Sequence, residues 1–407
     1  MKKEEIVIIG AGASGLCTAI VLGRAGQQVV ILEQNSRAGK KILVSGNGKC
    51  NIGNRDITLN RFHSQNPSFV DAVLDEYDFN TIAQFFTSIG LELVEGKEGQ
   101  MFPMSLQASS VVDLLVYEAK RAGVAIICDC AVTSIEKTSD GFILETTQGT
   151  TPCNKLLIAS GSPAAPQLGG NNSGYAFATK LGHHLIPRHP SLVQLCSEEH
   201  WVKACAGVKI AGIAKLYANG EQVTEREGDI LFTNYGISGL AILDLSREVS
   251  ARLAHFDYCE LYLDLVPTQS KEKLTNFLHN RVDKKSPKPI VLWLQGVIHK
   301  KLIPIILEQS KCRSRIEGEL NRKEINKLVH TMKNLKLSIK DTKGFQGAEV
   351  TAGGIDTTEV NPQNMASKSI PGLFFGGEIL DVDGDRGGFN FHFAWVCGLR
   401  AGRGMLN

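Results

Sequence analysis

Residues 6–15 read Ile6-Val7-Ile8-Ile9-Gly10-Ala11-Gly12-Ala13-Ser14-Gly15, and Glu33 follows 18 residues after the last of these glycines. Four apolar residues ending on glycine have the pattern of a strand buried on both faces of a parallel sheet. Ser14 to Ala25 carries helical spacing and stops at Gly26, a residue suited to the left-handed end of a helix. Val29 to Leu32 repeats the buried-strand pattern. Strand, helix and strand make one βαβ unit, with G-x-G-x-x-G at the strand-to-helix turn. Glycines there let the backbone approach a pyrophosphate, and the helix N-terminus stabilises its charge. An acid after the second strand accepts hydrogen bonds from ribose hydroxyls. A dinucleotide site is therefore expected at Gly10, Gly12, Ala13, Ser14, Gly15 and Glu33, with Gln34 beside them.

Outward from this unit, Arg37-Ala38-Gly39-Lys40-Lys41 and Ser45-Gly46-Asn47-Gly48-Lys49-Cys50-Asn51 form a glycine- and lysine-rich stretch. Such a loop can lie against a long cofactor and its phosphates; the plainer reading is a basic surface loop. Ser109 to Arg121 reads as a helix stopped by Gly123, and Ala125–Cys128, Val132–Glu136 and Phe142–Thr146 as short strands. Leu156 to Ala159 is another buried strand, running into Ser160-Gly161. Between Pro190 and Pro267 the segments shorten and alternate, as hairpins do, with a helix expected over Ser238–Ser250. From Ser270 to Leu337 the pattern is helical, in four pieces broken near Pro287, Pro289, Pro304 and Gly318. Glycine-rich text returns at Gly344, and Leu373-Phe374-Phe375 is a last strand before Gly376-Gly377. The fold class expected is α/β, a Rossmann-like nucleotide-binding domain over 1–189 and 344–407. It is split by a β-rich insertion at 190–269 and a basic helical subdomain at 270–343.

Together these motifs resemble the bacterial family of NAD(P)/FAD-dependent oxidoreductases that includes bile-acid dehydroxylation flavoproteins, aminoacetone-oxidase-like proteins and a ribosomal RNA dihydrouridine synthase. The resemblance rests on Gly10–Gly15, Gly39-Lys40-Lys41, Ser45–Asn54, Phe102-Pro103 and Leu231-Phe232-Thr233. It continues through Gly236–Gly239, Thr351-Ala352-Gly353-Gly354-Ile355, Gly377–Gly384 and Gly387–Asn390. It covers nearly the whole chain. Ala159-Ser160-Gly161-Ser162 departs from the usual A-T-G-G, and Arg386 stands where threonine is common. The resemblance implies FAD, NADH or NADPH as a transient electron donor, and a β-barrel-like plus small helical insertion. It adds Gly46, Asn47, Gly48, Cys50, Asn51, Val132, Ser160, Gly161, Gly354, Gly377, Glu378, Asp383, Gly387, Gly388, Phe389 and Asn390 to the cofactor site. No second G-x-G-x-x-G occurs, so the nicotinamide has no separate domain of its own.

Candidate chemistry falls on Cys50, Asn390 and His392. A thiol at Cys50 can donate a proton or pack beneath the cofactor. Asn390 can cap a helix or hold the flavin pyrimidine, and His392, between Phe391 and Phe393, can be packed or catalytic. No metal is assigned: His and Cys lack ligand spacing, and Asp381, Asp383 and Asp385 lack the register of a calcium loop.

The whole 407-residue chain carries a net charge of +2, but unevenly. Residues 271–343 hold 18 Lys and Arg against 7 Asp and Glu, a net of +11, which leaves −9 elsewhere. Basic residues Lys284, Lys285, Lys300, Lys301, Arg313 and Arg315 are candidates for contacts to an RNA backbone; the plainer reading is a solvated charged face. Three functions stay open. They are reduction of a uridine in ribosomal RNA, oxidoreduction of a small enone or amine, and a flavin-containing RNA-binding assembly factor. The sequence shows no apolar run of 18 residues and no leader pattern over Met1–Glu5, and its ten cysteines are scattered without C-x-x-C. A cytoplasmic protein with no membrane span is expected.

Overall fold

A computed structural model describes residues 5–407; the leader reading at residues 1–4 lies outside the described residues. The chain divides into two compact units, residues 1–188 with 349–407, and residues 189–348.

The first unit is built on a parallel sheet of five strands. In spatial order they are Leu373–Phe375, Lys155–Ile158, Glu5–Ile9, Gln28–Leu32 and Ala125–Ile127. Every adjacent pair is parallel. The chain starts in the middle strand, moves outward to one side and then returns to the other. The order therefore reverses between Glu5–Ile9 and Lys155–Ile158, and ligands of open α/β sheets bind at such a switch point, beyond the carboxyl ends of the strands. Ile6, Val7 and Ile8 are fully buried, as two-sided burial requires.

Two helices pack on this sheet, Ala13–Arg24 and Phe389–Gly404. Their close approach depends on glycine: a Cβ on Gly398 would lie 2.6 Å from the Ser14 carbonyl oxygen, and one on Gly402 would lie 2.7 Å from Val21 Cβ. Thr18 Oγ1 donates to the Gly398 carbonyl at 2.9 Å. Contacts advance in step along both helices, Ser14 against Gly398 and Val21 against Gly402, so the helices run parallel. Their N-termini point the same way.

The second unit holds a closed antiparallel barrel. Its order is Leu195–Ser197, Gly236–Ser238, Glu221–Phe232, Lys209–Ala218, Cys259–Asp264 and Leu335–Thr342, which closes back on the first strand. Closure removes the unpaired strand edges that would otherwise template aggregation. The helix Leu240–Ala254 packs on the barrel through Ile242, Leu245 and Val249. Four helices, Lys271–Arg281, Ile290–Leu294, Ile303–Gln309 and Arg322–Lys333, intervene between the last two barrel strands. The helical reading to Leu337 is corrected here. Leu335–Thr342 alternates buried Leu335, Leu337 and Ile339 with exposed Lys336 and Lys340, the period of a barrel strand. Among the described residues no helix is long and apolar enough to cross a membrane.

Candidate functional site

Each glycine of the 10–15 turn does a separate job. Gly10 has φ +102°, and a Cβ there would sit 2.5 Å from the Ala159 carbonyl oxygen, so the turn and the neighbouring strand end both require glycine. A Cβ on Gly15 would lie 2.0 Å from the Gly10 carbonyl oxygen and 3.2 Å from Ile8. Gly12 differs: a Cβ there would meet nothing within 4 Å. The amides of Gly12, Ala13, Ser14 and Gly15 find no acceptor among the described residues. They form an open, positively polarised helix N-terminus facing empty space, the arrangement that takes up a phosphate.

Buried Glu33 anchors this turn. Its Oε2 accepts from the Ala11 amide at 2.8 Å, and its Oε1 accepts from the Asn35 amide at 2.8 Å and from Asn35 Nδ2 at 2.7 Å. Carboxylate oxygens have further lone pairs, so ribose hydroxyls can still be accepted. Gln34 is exposed and committed elsewhere: its Nε2 donates to the Gly169 carbonyl and its Oε1 accepts from Asn171. Its place is therefore in holding the 169–171 loop.

The carboxyl ends of the other central strands supply the opposite wall. A Cβ on Gly161 (φ +73°) would meet nothing within 4 Å, and Gly376 and Gly377 lie against Ser14. Beyond them Lys41 and Glu378, both expected at the cofactor site, join Ser162 and Thr351 in a polar cluster. Lys41 Nζ pairs with Glu378 Oε2 at 2.6 Å. Glu378 Oε1 accepts from Ser162 Oγ at 2.7 Å and from the Thr351 amide at 3.2 Å, and Thr351 Oγ1 donates to Ser162 Oγ at 2.9 Å. Ser162, one of the two departures from A-T-G-G, thus has a partner of its own in Glu378. Lys40 reaches the Asn35 side chain at 3.4 Å. Buried Tyr175 lies close by, its hydroxyl 3.4 Å from the Glu378 carbonyl and its acidity suppressed, first by burial and then by the Glu378 charge.

The stretch after Gly39 is helical where a loop is expected, then kinked. Gly39 (φ +68°) caps Lys40–Gly48, and Ser45, Gly46 and Asn47 leave helical geometry, Gly46 and Asn47 both at positive φ. Gly48 (φ +80°) and Cys50 (φ +58°) are also left-handed. The Cys50 thiol is fully buried, and burial pushes its pKa up to about 12, so it stays protonated and packed. Val132 begins a strand and is half-buried against the core, two residues after Cys130, whose amide donates to the Glu33 carbonyl.

At the last helix, Gly387 and Gly388 have φ of +124° and +105°, and a Cβ on Gly388 would lie 2.5 Å from the Gly53 carbonyl oxygen. The amides of Phe389, Asn390 and Phe391 face no acceptor among the described residues, giving a second open N-terminus. Asn390 and His392, considered for chemical roles, are each tied to the chain itself. Asn390 clamps the preceding turn, its Oδ1 accepting from the Gly384 amide and its Nδ2 donating to the Gly384 carbonyl, both at 2.8 Å. His392 is fully buried, with Nε2 bonded to the Tyr77 carbonyl at 3.0 Å; burial lowers its pKa to about 4, so it is neutral. Asp383 is buried in a short strand paired with Phe62–His63. Gly354 is pinned by packing, since a Cβ would meet the Leu380 backbone at 2.7 Å.

Ser14 Oγ, Ser160 Oγ and Asn51 Oδ1 are buried with no hydrogen-bond partner. An orphaned buried polar atom costs about 1–3 kcal/mol. Ser14 lies among the unsatisfied helix amides and Ser160 precedes the open Gly161, so the residues present fit a bound dinucleotide.

The sequence signature described as "HI0933-like protein Rossmann domain" matches residues 4–404. The chain belongs to that family. It is 35% identical over 403 residues to a 3-dehydro-bile acid delta(4,6)-reductase from Clostridium scindens, covering 98% of each chain. It is 30% identical to a ribosomal RNA dihydrouridine synthase from Escherichia coli, covering 97% of this chain and 96% of that one. A solved 3-ketosteroid delta1-dehydrogenase from Sterolibacterium denitrificans shares the fold, at 11% identity and a TM-score of 0.51 over 99% of both chains. The protein is an FAD-dependent oxidoreductase.

In the second unit the six basic candidates are all exposed. Lys284 donates to the Leu320 carbonyl and Lys301 to the Ala206 carbonyl, at 2.8 Å for the latter. The side chains of Lys285, Lys300, Arg313 and Arg315 have no partner among the described residues and remain available to an anion.

Proposed function

We propose that this protein reduces a carbon–carbon double bond conjugated to a carbonyl, that the substrate is a uridine in ribosomal RNA, and that NADH or NADPH supplies the electrons. The reactions named for the two relatives share this chemistry: reduction of an unsaturated 3-oxo steroid, and formation of dihydrouridine, both add two hydrogens to such a bond. When bound, FAD supplies the hydride. The chain's own residues bind, orient and balance charge. The amides of residues 12–15 would hold the pyrophosphate and Glu33 the adenosine ribose. The open N-terminus at Phe389 would stabilise negative charge on the reduced ring system. Glu378, fixed by Lys41, Ser162 and Thr351, would meet the ribityl chain without having to reorganise.

One observation carries the RNA substrate: the net +11 over residues 271–343, with unpaired Lys285, Lys300, Arg313 and Arg315 on its surface. Segregated positive charge attracts a polyanion, and a small acid with a single carboxylate has no need of so large a basic face. The second reading, a small-enone reductase, is favoured by the 35% identity to the bile-acid enzyme.

Anaerobic stopped-flow absorbance separates the two. NADH or NADPH should bleach the flavin without a long-lived complex, because no second dinucleotide fold is present in the sequence. An unmodified ribosomal RNA fragment should then restore the oxidised spectrum. Restoration by a 3-oxo-4-ene steroid and not by the RNA would overturn the RNA reading. Failure of both nicotinamides to bleach would overturn the donor.

A further inference from the structure

The basic helical segment carries one exposed aromatic ring, Phe277, that phosphate binding leaves unexplained, while Trp293 nearby is fully buried. Phe277, on the helix Lys271–Arg281, is 51% exposed. Lys273 and Arg281 lie four residues to either side, so the three share one stripe of the helix. The Arg281 guanidinium lies 5.9 Å from the Phe277 ring centre and 5.4 Å from that of Trp293. The absence of a side chain at Gly296 leaves room for it, since a Cβ there would approach Arg281 Nη2 to 2.9 Å. Arg281 has no ion pair or hydrogen bond among the described residues, so its charge is available. Leu292, beside Trp293 in sequence, is 54% exposed. An apolar ring presented to water costs free energy, and a bare guanidinium is placed beside it within the most basic segment of the chain.

We propose that Phe277 is a stacking platform for an unpaired base of single-stranded RNA, with Arg281 and Lys273 taking the flanking phosphates. This rests on the RNA reading above and adds to it that the bound strand is single. Every base offers a π-face, so stacking on an aromatic ring beside a cation holds single strands without reading sequence. Duplex RNA keeps its bases stacked on one another and offers none to Phe277. The charge of the surroundings selects a polyanion as occupant over an apolar protein surface.

The test is a fluorescence-anisotropy titration at several salt concentrations, with labelled oligouridine of about a dozen nucleotides and a duplex RNA of matching length. Wild type, Phe277→Ala and Phe277→Tyr are compared, with urea unfolding to confirm equal stability. Phe277→Ala should weaken oligouridine binding by about 5- to 150-fold while leaving the log–log salt slope unchanged, because no phosphate contact is lost. Duplex binding should be unaffected, and Phe277→Tyr should retain wild-type affinity for both. If Phe277→Ala binds oligouridine as wild type does, or loses duplex and single strand equally, the platform is refuted while the RNA reading stands. If the wild-type protein binds neither RNA, both fall together.

Discussion

Gly12 and Gly15 stand three residues apart in one motif, and the structure gives their alanine variants opposite consequences. At Gly15 a methyl group would overlap the Gly10 carbonyl oxygen at 2.0 Å and crowd Ile8 at 3.2 Å. Neither neighbour can yield, because one is backbone in the same turn and the other belongs to the central strand. Overpacking of this kind costs about 1–3 kcal/mol or more. At Gly12 the backbone is extended (φ −89°, ψ −164°), a conformation alanine adopts freely, and nothing lies within 4 Å of the new methyl group. Gly12→Ala should therefore leave the apoprotein at wild-type stability or raise it by about 0.4–1 kcal/mol, through a less flexible unfolded chain. The methyl group would instead occupy the space a phosphate must enter. Losing one charge-assisted hydrogen bond of about 1.5–3 kcal/mol weakens FAD binding by about 10- to 150-fold. Urea unfolding of the apoproteins and fluorescence titration with FAD measure the two effects separately. Gly12→Ala with wild-type FAD affinity, or with the same loss of stability as Gly15→Ala, would refute the assignment of the open face to the pyrophosphate.

Glu33→Ala should lower FAD retention and also destabilise the turn, because the buried Ala11 amide loses its acceptor at a cost of about 1–3 kcal/mol; gel-filtered variant that keeps its full FAD:protein absorbance ratio would contradict this. Buried, neutral His392 has its pKa lowered to about 4, so the unfolded chain binds the extra proton first as pH falls. Its contribution, at most about 3 kcal/mol, is present above pH ~6.5 and lost progressively toward pH 4. Urea midpoints against pH should fall less steeply across that window in His392→Gln than in wild type, and parallel curves would rule this out. Neutralising Lys285, Lys300, Arg313 and Arg315 together should leave FAD bound and make the log–log salt dependence of RNA binding shallower by about 3, at roughly 0.7 per phosphate contact on single strands. An unchanged slope would remove these residues from the RNA surface.

The nucleotide-binding core is legible in the sequence because its signals are local. Ile6–Ile9, the 10–15 turn and Glu33 are close along the chain, and each is a residue type that the turn or the ligand demands. The barrel is not legible in the same way. It closes by pairing Leu195–Ser197 with Leu335–Thr342 across more than a hundred residues, and no local pattern specifies a partner at that distance. Leu335–Thr342 follows directly on a helix, which hides its period of two. Side-chain roles at the last helix are also settled at long range. Asn390 and His392 stand where a helix cap and an acid–base group are plausible, yet one is spent on Gly384 and the other is sealed against Tyr77. The Lys41–Glu378–Ser162–Thr351 cluster joins four segments far apart in sequence; Lys41 and Glu378 are each expected at the cofactor, but no local pattern pairs them with each other or with Ser162.

The most direct measurement is mass spectrometry of ribosomal RNA nucleosides from cells with the gene, without it, and complemented by wild type or by Gly12→Ala. Dihydrouridine should fall on deletion, return with wild type, and return poorly with the variant that binds FAD weakly. An identical dihydrouridine content in all four would contradict the reduction of ribosomal RNA by this protein.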